Sequence, residues 1–243
     1  EGASHVDAFV APTRYYARHA IDHFGLDPDR VHVVPLGIDV DDYGDPAPSA
    51  DGAFRIGYLA RICPEKGLAN LCEALVRLRE AGRDCRLRAA GYLGRGDRDY
   101  LARTMAYLKE RGTADAFEYV GEVSRPEKLA FLRSQHVVSV PSVYHESKGL
   151  YVLEAMAAGV PVVQPRIGAF PELVEQAGGG LLYDPDDEGG LADGIARLMD
   201  DSELRESLGK AGSAGVREGF TAEIMARETW SLYERLCSAH SVG

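Results

Sequence analysis

Long apolar runs are missing from this chain. None approaches the roughly 20 residues that a helix needs to cross a bilayer, which argues against an integral membrane segment. The first residues, EGASHVDAFVAPT, lack the basic segment and apolar stretch of a signal peptide. Cysteine is scarce: Cys63, Cys72, Cys85 and Cys237 form no CxxC pair and no metal-ligand spacing with the histidines. Reduced thiols in a cytoplasmic protein are the simplest reading. Positive charge is also in deficit, with 27 Lys and Arg against 38 Asp and Glu and a net charge of −11. That balance repels nucleic acid and acidic membrane surfaces at long range. The basic residues form no stripe interleaved with aromatics, so nucleic-acid binding is rejected.

What is present is ordinary for a soluble domain. A chain of 243 residues can bury a full core, and 45% apolar with 27% charged residues matches a globular protein. Strand-like runs recur: VDAFVAPT, VHVVPLGI, FRIGYLA, CRLRAAG, FEYVG, HVVSVP, VPVVQP and GLLYD. Helical stretches fall between most of them. Leu68, Leu71, Leu75 and Leu78 share one face, as do Leu101, Met105 and Leu108, and then Leu129 and Leu132. The alternation predicts an α/β fold, a Rossmann-like parallel sheet with helices on both faces. The segment DVDDYGDPAPSADG (39 to 52) is rich in Asp, Pro, Gly and Ala and reads as a linker.

The most informative stretch is ESKGLYVLE, Glu146 to Glu154, between the strand HVVSV and a helix that Gly159 stops. A helix beginning near Gly149 leaves the amides of Leu150, Tyr151 and Val152 without intrahelical partners, a natural seat for phosphate oxygens. Glu146 then lies on the loop before the helix and Glu154 more than a turn inside it. This spacing would let one carboxylate face a sugar and the other a ribose, on either side of a pyrophosphate; the plain alternative is an acidic residue that favours the helix dipole and one solvated Glu. Upstream, FRIGYLARICPEKG (54 to 67) is a strand running into Arg61 and Lys66. Both leave the carboxyl end of a strand, where open parallel sheets bind ligands. An Arg fork fits two phosphate oxygens and a Lys adds a compact charge. Their favourable local charge must outweigh the acidic global field.

Other motifs carry less. GYLGRG (91 to 96) does not have the spacing of the dinucleotide fingerprint. DVD (39 to 41) and DRD (97 to 99) are triplets that an Asp-rich chain produces by chance, so no metal site is expected. Cys63 lies in the presumed phosphate loop as a small inert residue. His145 adjoins Glu146 and is a candidate for contact with the donor sugar.

Taken in order, PLGID (35 to 39), ARICPEKG (60 to 67), HESKGLYVLEAMAAGVPVV (145 to 163) and IGAFPELV (167 to 174) resemble the carboxyl-terminal part of a retaining GT-B glycosyltransferase, specifically glycosyltransferase family 4. The resemblance implies that Arg61 and Lys66 bind the donor's diphosphate, with the amides after Gly149 completing that site. It also implies that Glu154 binds the ribose hydroxyls and Glu146 the transferred sugar. Three positions depart from the family pattern: Ala60 and Ala169 where glycine is usual, and Lys148 where an aromatic is usual. None of these removes a presumed ligand-binding side chain, and Lys148 adds a cation beside the pyrophosphate turn.

The same resemblance divides the chain. Residues 1–44 resemble the end of an acceptor-side Rossmann-like domain whose remainder is missing, 45–52 a linker, 53–219 a donor-binding domain, and 220–243 a crossover helix on which Trp230 and Tyr233 pack against the first domain. Glu1 is not an initiator methionine, which fits a fragment or processed chain. The implied partners are a nucleotide-sugar donor, an acceptor hydroxyl compound and the missing amino-terminal domain, with no cofactor and no metal. Rival readings are a GT-B-fold sugar-nucleotide epimerase or phosphorylase, and a non-catalytic nucleotide-sugar-binding protein.

Overall fold

The computed structural model describes residues 2–44 and 52–240. All eight strand-like runs form strands. The chain proceeds through β1 (Phe9–Ala11), α1 (Arg14–Phe24), β2 (Val31–Val33), β3 (Phe54–Leu59), α2 (Leu68–Glu80), β4 (Cys85–Ala90), α3 (Arg98–Glu110), β5 (Phe117–Gly121), α4 (Arg125–Arg133) and β6 (Val137–Val138). It continues through α5 (Leu150–Ala157), β7 (Val162–Pro165), α6 (Phe170–Ala177), β8 (Gly180–Tyr183), α7 (Gly190–Asp200), α8 (Ser202–Gly219) and α9 (Ala222–His240). The linker read at 45–52 lies outside the described residues except for Gly52.

β1 and β2 pair in parallel, and the other six strands form one parallel sheet in the order β5-β4-β3-β6-β7-β8. Its strands are apolar on both faces because each face is covered. Ile56, Tyr58, Leu87, Ala89, Val137 and Val163 join one core cluster with residues of α2, α3 and α7. Leu59, Ala90, Val138 and Val162, the neighbouring positions of opposite parity, join a second cluster with α4, α5 and α6. The leucine face of α2 is buried as expected. In α3 the inward face is Leu101, Thr104 and Leu108, and Met105 is 49% exposed, because the helix phase sets Thr104 rather than Met105 toward the sheet. Thr104 satisfies its hydroxyl on the Tyr100 carbonyl at 3.0 Å, which lets a polar residue occupy a buried helical position.

From β3 the chain moves outward through β4 and β5 on one side, then returns to lay β6, β7 and β8 on the other. The direction of winding reverses between β3 and β6, so their carboxyl ends open a crevice. The loops after these two strands carry Arg61 to Lys66 and Pro141 to Gly149. The start of α9 pairs with the segment after β2: the Ile38 amide donates to the Phe220 carbonyl at 2.9 Å and the Ala222 amide to the Ile38 carbonyl at 3.0 Å. Trp230 and Tyr233 on α9 are 64% and 56% exposed. Among the described residues no helix is long and apolar enough to cross a membrane.

Candidate functional site

After β3, the backbone tightens into a single turn, Pro64–Lys66, before α2. The Tyr58 hydroxyl anchors this loop by donating to the Arg61 carbonyl at 2.9 Å, and the Val143 amide donates to the Glu65 carbonyl at 3.0 Å. That second bond draws the loop after β6 against the loop after β3. It brings Lys66 to Glu146, 80 residues away, and their side chains form an ion pair.

Glu146 is held from every side. Its Oε2 accepts from Lys66 Nζ, from the Tyr144 hydroxyl at 3.0 Å and from the Tyr151 hydroxyl at 3.1 Å. Its Oε1 accepts from the backbone amides of Ser147 at 3.1 Å and Lys148 at 3.4 Å. Burial opposes the charge on Glu146, but the Lys66 bond and charge and the other donors outweigh it, so the carboxyl lies below the ordinary glutamate range. Burial likewise opposes the charge on Lys66, and its bonds to Glu146 and Tyr144 reverse the effect, so the ammonium is held above the ordinary lysine range. The IGAFPELV segment supports the backbone of this residue. The Ala169 amide donates to the Glu146 carbonyl at 2.8 Å. Gly168, at φ +57°, leaves space that a Cβ would fill, 2.6 Å from Glu146 N and O.

Gly149 caps α5 at φ +58°, and a side chain there would meet Leu173 Cδ1 at 2.8 Å as well as the left-handed backbone. The amides of Leu150 and Tyr151 have no hydrogen-bond partner among the described residues. The Val152 amide departs from the expectation: it donates to the Gly149 carbonyl at 2.9 Å, because the first turn of α5 tightens. Two open amides therefore remain at the start of α5 rather than three.

Glu154 lies within α5, more than a turn after Gly149. Its Oε1 accepts from the Tyr43 hydroxyl at 3.1 Å and from Lys128 Nζ, leaving Oε2 without a partner among the described residues. Neither Tyr43 nor Lys128 stands out in the sequence. Tyr43 falls in the stretch that reads as a linker, yet it is buried to 1% exposure. Lys128 occupies the first turn of α4.

Arg61 stands apart from the Lys66 cluster. It is exposed at the end of β3, with Nε 3.3 Å from Cys63 Sγ. The Lys148 side chain is exposed too, and only its amide touches Glu146. His145 is exposed and turns away from the carboxylate: its ring packs edge-on against Tyr15 at 6.0 Å, and it lines a cavity of about 610 Å³ with Pro165, Ile167 and Tyr183 at the ends of β7 and β8. Glu172, in the same segment as Gly168, accepts the amides of Arg14 at 3.0 Å and Tyr15 at 3.1 Å and so ties α6 to the first turn of α1. Among the described residues no group of three or more His, Cys, Asp or Glu side chains is arranged to hold a metal ion.

Comparison with known proteins agrees with this geometry. Residues 41–214 match the family described as glycosyl transferases group 1, and residues 2–42 match glycosyltransferase family 4. The chain is 32% identical over 213 residues to a phosphatidyl-myo-inositol mannosyltransferase of Mycobacterium leprae, covering 86% of this chain and 54% of the relative. It is 31% identical over 223 residues to an MMP alpha-(1->4)-mannosyltransferase of Mycolicibacterium hassiacum, covering 90% of this chain and 52% of that protein. The chain thus spans about half the length of the curated relatives it matches. Among solved structures, sucrose-phosphate synthase of Thermosynechococcus elongatus superposes with a TM-score of 0.84 at 24% identity, over 96% of this chain and 59% of that one. Anabaena HepE in complex with UDP-glucose does so with a TM-score of 0.83 at 21% identity, over 94% of this chain and 64% of that one. These structures share the GT-B fold. With its parallel sheet, its crevice at the β3–β6 reversal and its matched segments in family order, the chain belongs to the group 1 glycosyltransferase family.

Proposed function

We propose that this chain carries the donor-binding half of a retaining glycosyltransferase that moves a sugar from a nucleotide diphosphate to an acceptor hydroxyl. The observation that carries the reading is the meeting of Lys66 and Glu146 at the switch point, beside the open amides of Leu150 and Tyr151. Lys66 Nζ spends two donor directions on Glu146 and Tyr144 and keeps a third for a phosphate oxygen. The two amides supply further donors with the positive end of the α5 dipole. Arg61, exposed on the neighbouring loop, reaches the same crevice as a fork for the diphosphate. Glu154 presents Oε2 to the ribose hydroxyls, and the donor sugar lies over Glu146.

In this reading the bond between the anomeric carbon and the β-phosphate oxygen breaks, and negative charge builds on the departing diphosphate. Lys66, Arg61 and the helix amides stabilise that charge where it develops, with no metal required. Glu146 orients the sugar as positive character grows at the anomeric carbon. The acceptor and its binding groups are assigned to the acceptor-side Rossmann-like domain whose end residues 1–44 resemble. The reading draws on three similar proteins: HepE was solved with UDP-glucose, and the Mycobacterium leprae and Mycolicibacterium hassiacum relatives are mannosyltransferases. It also places the protein in the cytoplasm, in keeping with the buried Cys63, Cys72 and Cys85, which form no disulfide.

Calorimetric titration with UDP, GDP, ADP and dTDP tests the proposal. One diphosphate should bind at least tenfold more tightly than its nucleoside. Equal affinity for every diphosphate and its nucleoside would refute a diphosphate site at Lys66.

A further inference from the structure

Five donors converge on the Glu146 carboxylate, while a carboxylate offers about four acceptor positions. A sugar hydroxyl can reach this group only if one donor yields. The two backbone amides are fixed by the loop, and Lys66 balances the buried charge. The choice therefore falls between two tyrosines, and their surroundings differ. Tyr144 sits on the loop after β6 and is 39% exposed, its hydroxyl accepting from Lys66 Nζ at 2.6 Å and donating to Glu146 at that open face. Tyr151 lies in the first turn of α5, with its hydroxyl buried between two partners: it is 3.2 Å from Ser142 Oγ and 3.1 Å from Glu146 Oε2. Since Tyr151 gives its only proton to Glu146, Ser142 must donate to Tyr151. Ser142 is itself 2% exposed and held by its amide on the Val140 carbonyl at 2.7 Å.

Resting on the donor-sugar reading of Glu146, we propose that Tyr151 is the positioning residue for that carboxylate, a buried relay from Ser142 that keeps Oε2 aimed while Tyr144 gives way to a hydroxyl of the donor sugar. The expected role of position 151 was its backbone amide in the phosphate seat. The side chain adds a second task, connecting the sugar-binding carboxylate to the end of β6. A relay of this kind keeps the carboxylate in one orientation whether or not the sugar is present, which lowers the ordering cost when the sugar arrives.

The test is a double-mutant cycle read by calorimetry on the 243-residue chain, with UDP and UDP-glucose and with GDP and GDP-mannose as paired probes. Tyr151→Phe should leave diphosphate affinity within twofold and weaken the matching sugar nucleotide roughly tenfold. In a Glu146→Gln background the same substitution should cost less than twofold, because its effect passes through the carboxylate. Tyr144→Phe should cost less than Tyr151→Phe. Ser142→Ala, a smaller change, should reproduce the Tyr151→Phe pattern at about threefold and serves if Tyr151→Phe does not fold. If Glu146→Gln weakens the sugar nucleotide but Tyr151→Phe and Ser142→Ala do not, the positioning role is wrong and the donor-sugar reading stands. An equal loss for Tyr151→Phe with and without Glu146→Gln also overturns the role. If Glu146→Gln leaves the sugar nucleotide unaffected, the underlying reading fails.

Discussion

The Tyr43 hydroxyl donates to Glu154 Oε1 at 3.1 Å across 111 residues of sequence, and so joins the segment after β2 to the helix that carries the second glutamate. Burial, reinforced by the neighbouring Glu154 charge, holds the Tyr43 hydroxyl well above the ordinary tyrosine range. It therefore stays a proton donor through the pH range in which an exposed tyrosine would begin to ionise. A hydrogen bond to a charged group contributes about 1.5–3 kcal/mol. Tyr43→Phe, which keeps the ring in place, should therefore lower unfolding stability by about that amount in urea titrations. An unchanged midpoint would mean that the bond contributes nothing.

Lys66→Ala removes one donor to the diphosphate and leaves Glu146 buried without its cation. Diphosphate affinity should fall by about 1.5–3 kcal/mol while the nucleoside binds almost as before. Equal losses for both ligands would make Lys66 purely structural. Thermal melts must accompany the titrations, because breaking one side of a buried pair destabilises the fold.

The pH dependence of this pair has a definite sign. Glu146 is depressed in the folded state, so its contribution to stability is complete above the unfolded glutamate pKa of about 4.3 and is lost as pH falls through the folded value. Lys66 is raised, so its contribution is complete below the unfolded lysine pKa of about 10.4 and is lost as pH rises through the folded value. The stability difference between the unmutated chain and Glu146→Gln should be flat between these limits and shrink outside them. A difference that changes steadily between pH 6 and 9 would show that other groups control it.

Gly149→Ala forces a side chain into a left-handed backbone and toward Leu173. A cost of about 1–3 kcal/mol in stability is expected, with weaker diphosphate binding as the Leu150 and Tyr151 amides shift. A variant with unchanged stability and affinity would show that the turn adapts freely.

Much of the sheet and of the α5 turn could be read from sequence because their signals are local. β3, β6 and β7 are apolar on both faces, and Glu146, Gly149 and Glu154 fall within nine residues. The partners of those glutamates could not be read in the same way. Tyr43, from the segment after β2, and Lys128, from α4, both reach Glu154, and nothing in their sequence neighbourhoods marks them as partners of a carboxylate in another element. The direction of a side chain leaving a loop was equally invisible. Arg61 and Lys66 lie five positions apart, yet only Lys66 turns in to Glu146, because the Val143–Glu65 bond closes the two loops over it. Met105 failed for a related reason: spacing alone left a one-residue ambiguity in helix phase, which Thr104 resolved by bonding its own helix.

Separate replacement of the two glutamates tests the ligand's orientation across the α5 turn. Calorimetry should compare Glu146→Ala and Glu154→Ala against a nucleotide diphosphate and the matching sugar nucleotide, with thermal melts confirming that both variants fold. Glu154→Ala should weaken both ligands by about tenfold to a hundredfold, since the ribose is common to them. Glu146→Ala should leave the diphosphate nearly unchanged and weaken only the sugar nucleotide. The reverse pattern, with Glu146 required for the diphosphate and Glu154 dispensable, would place the ligand the other way round and overturn the assignment of sugar and ribose.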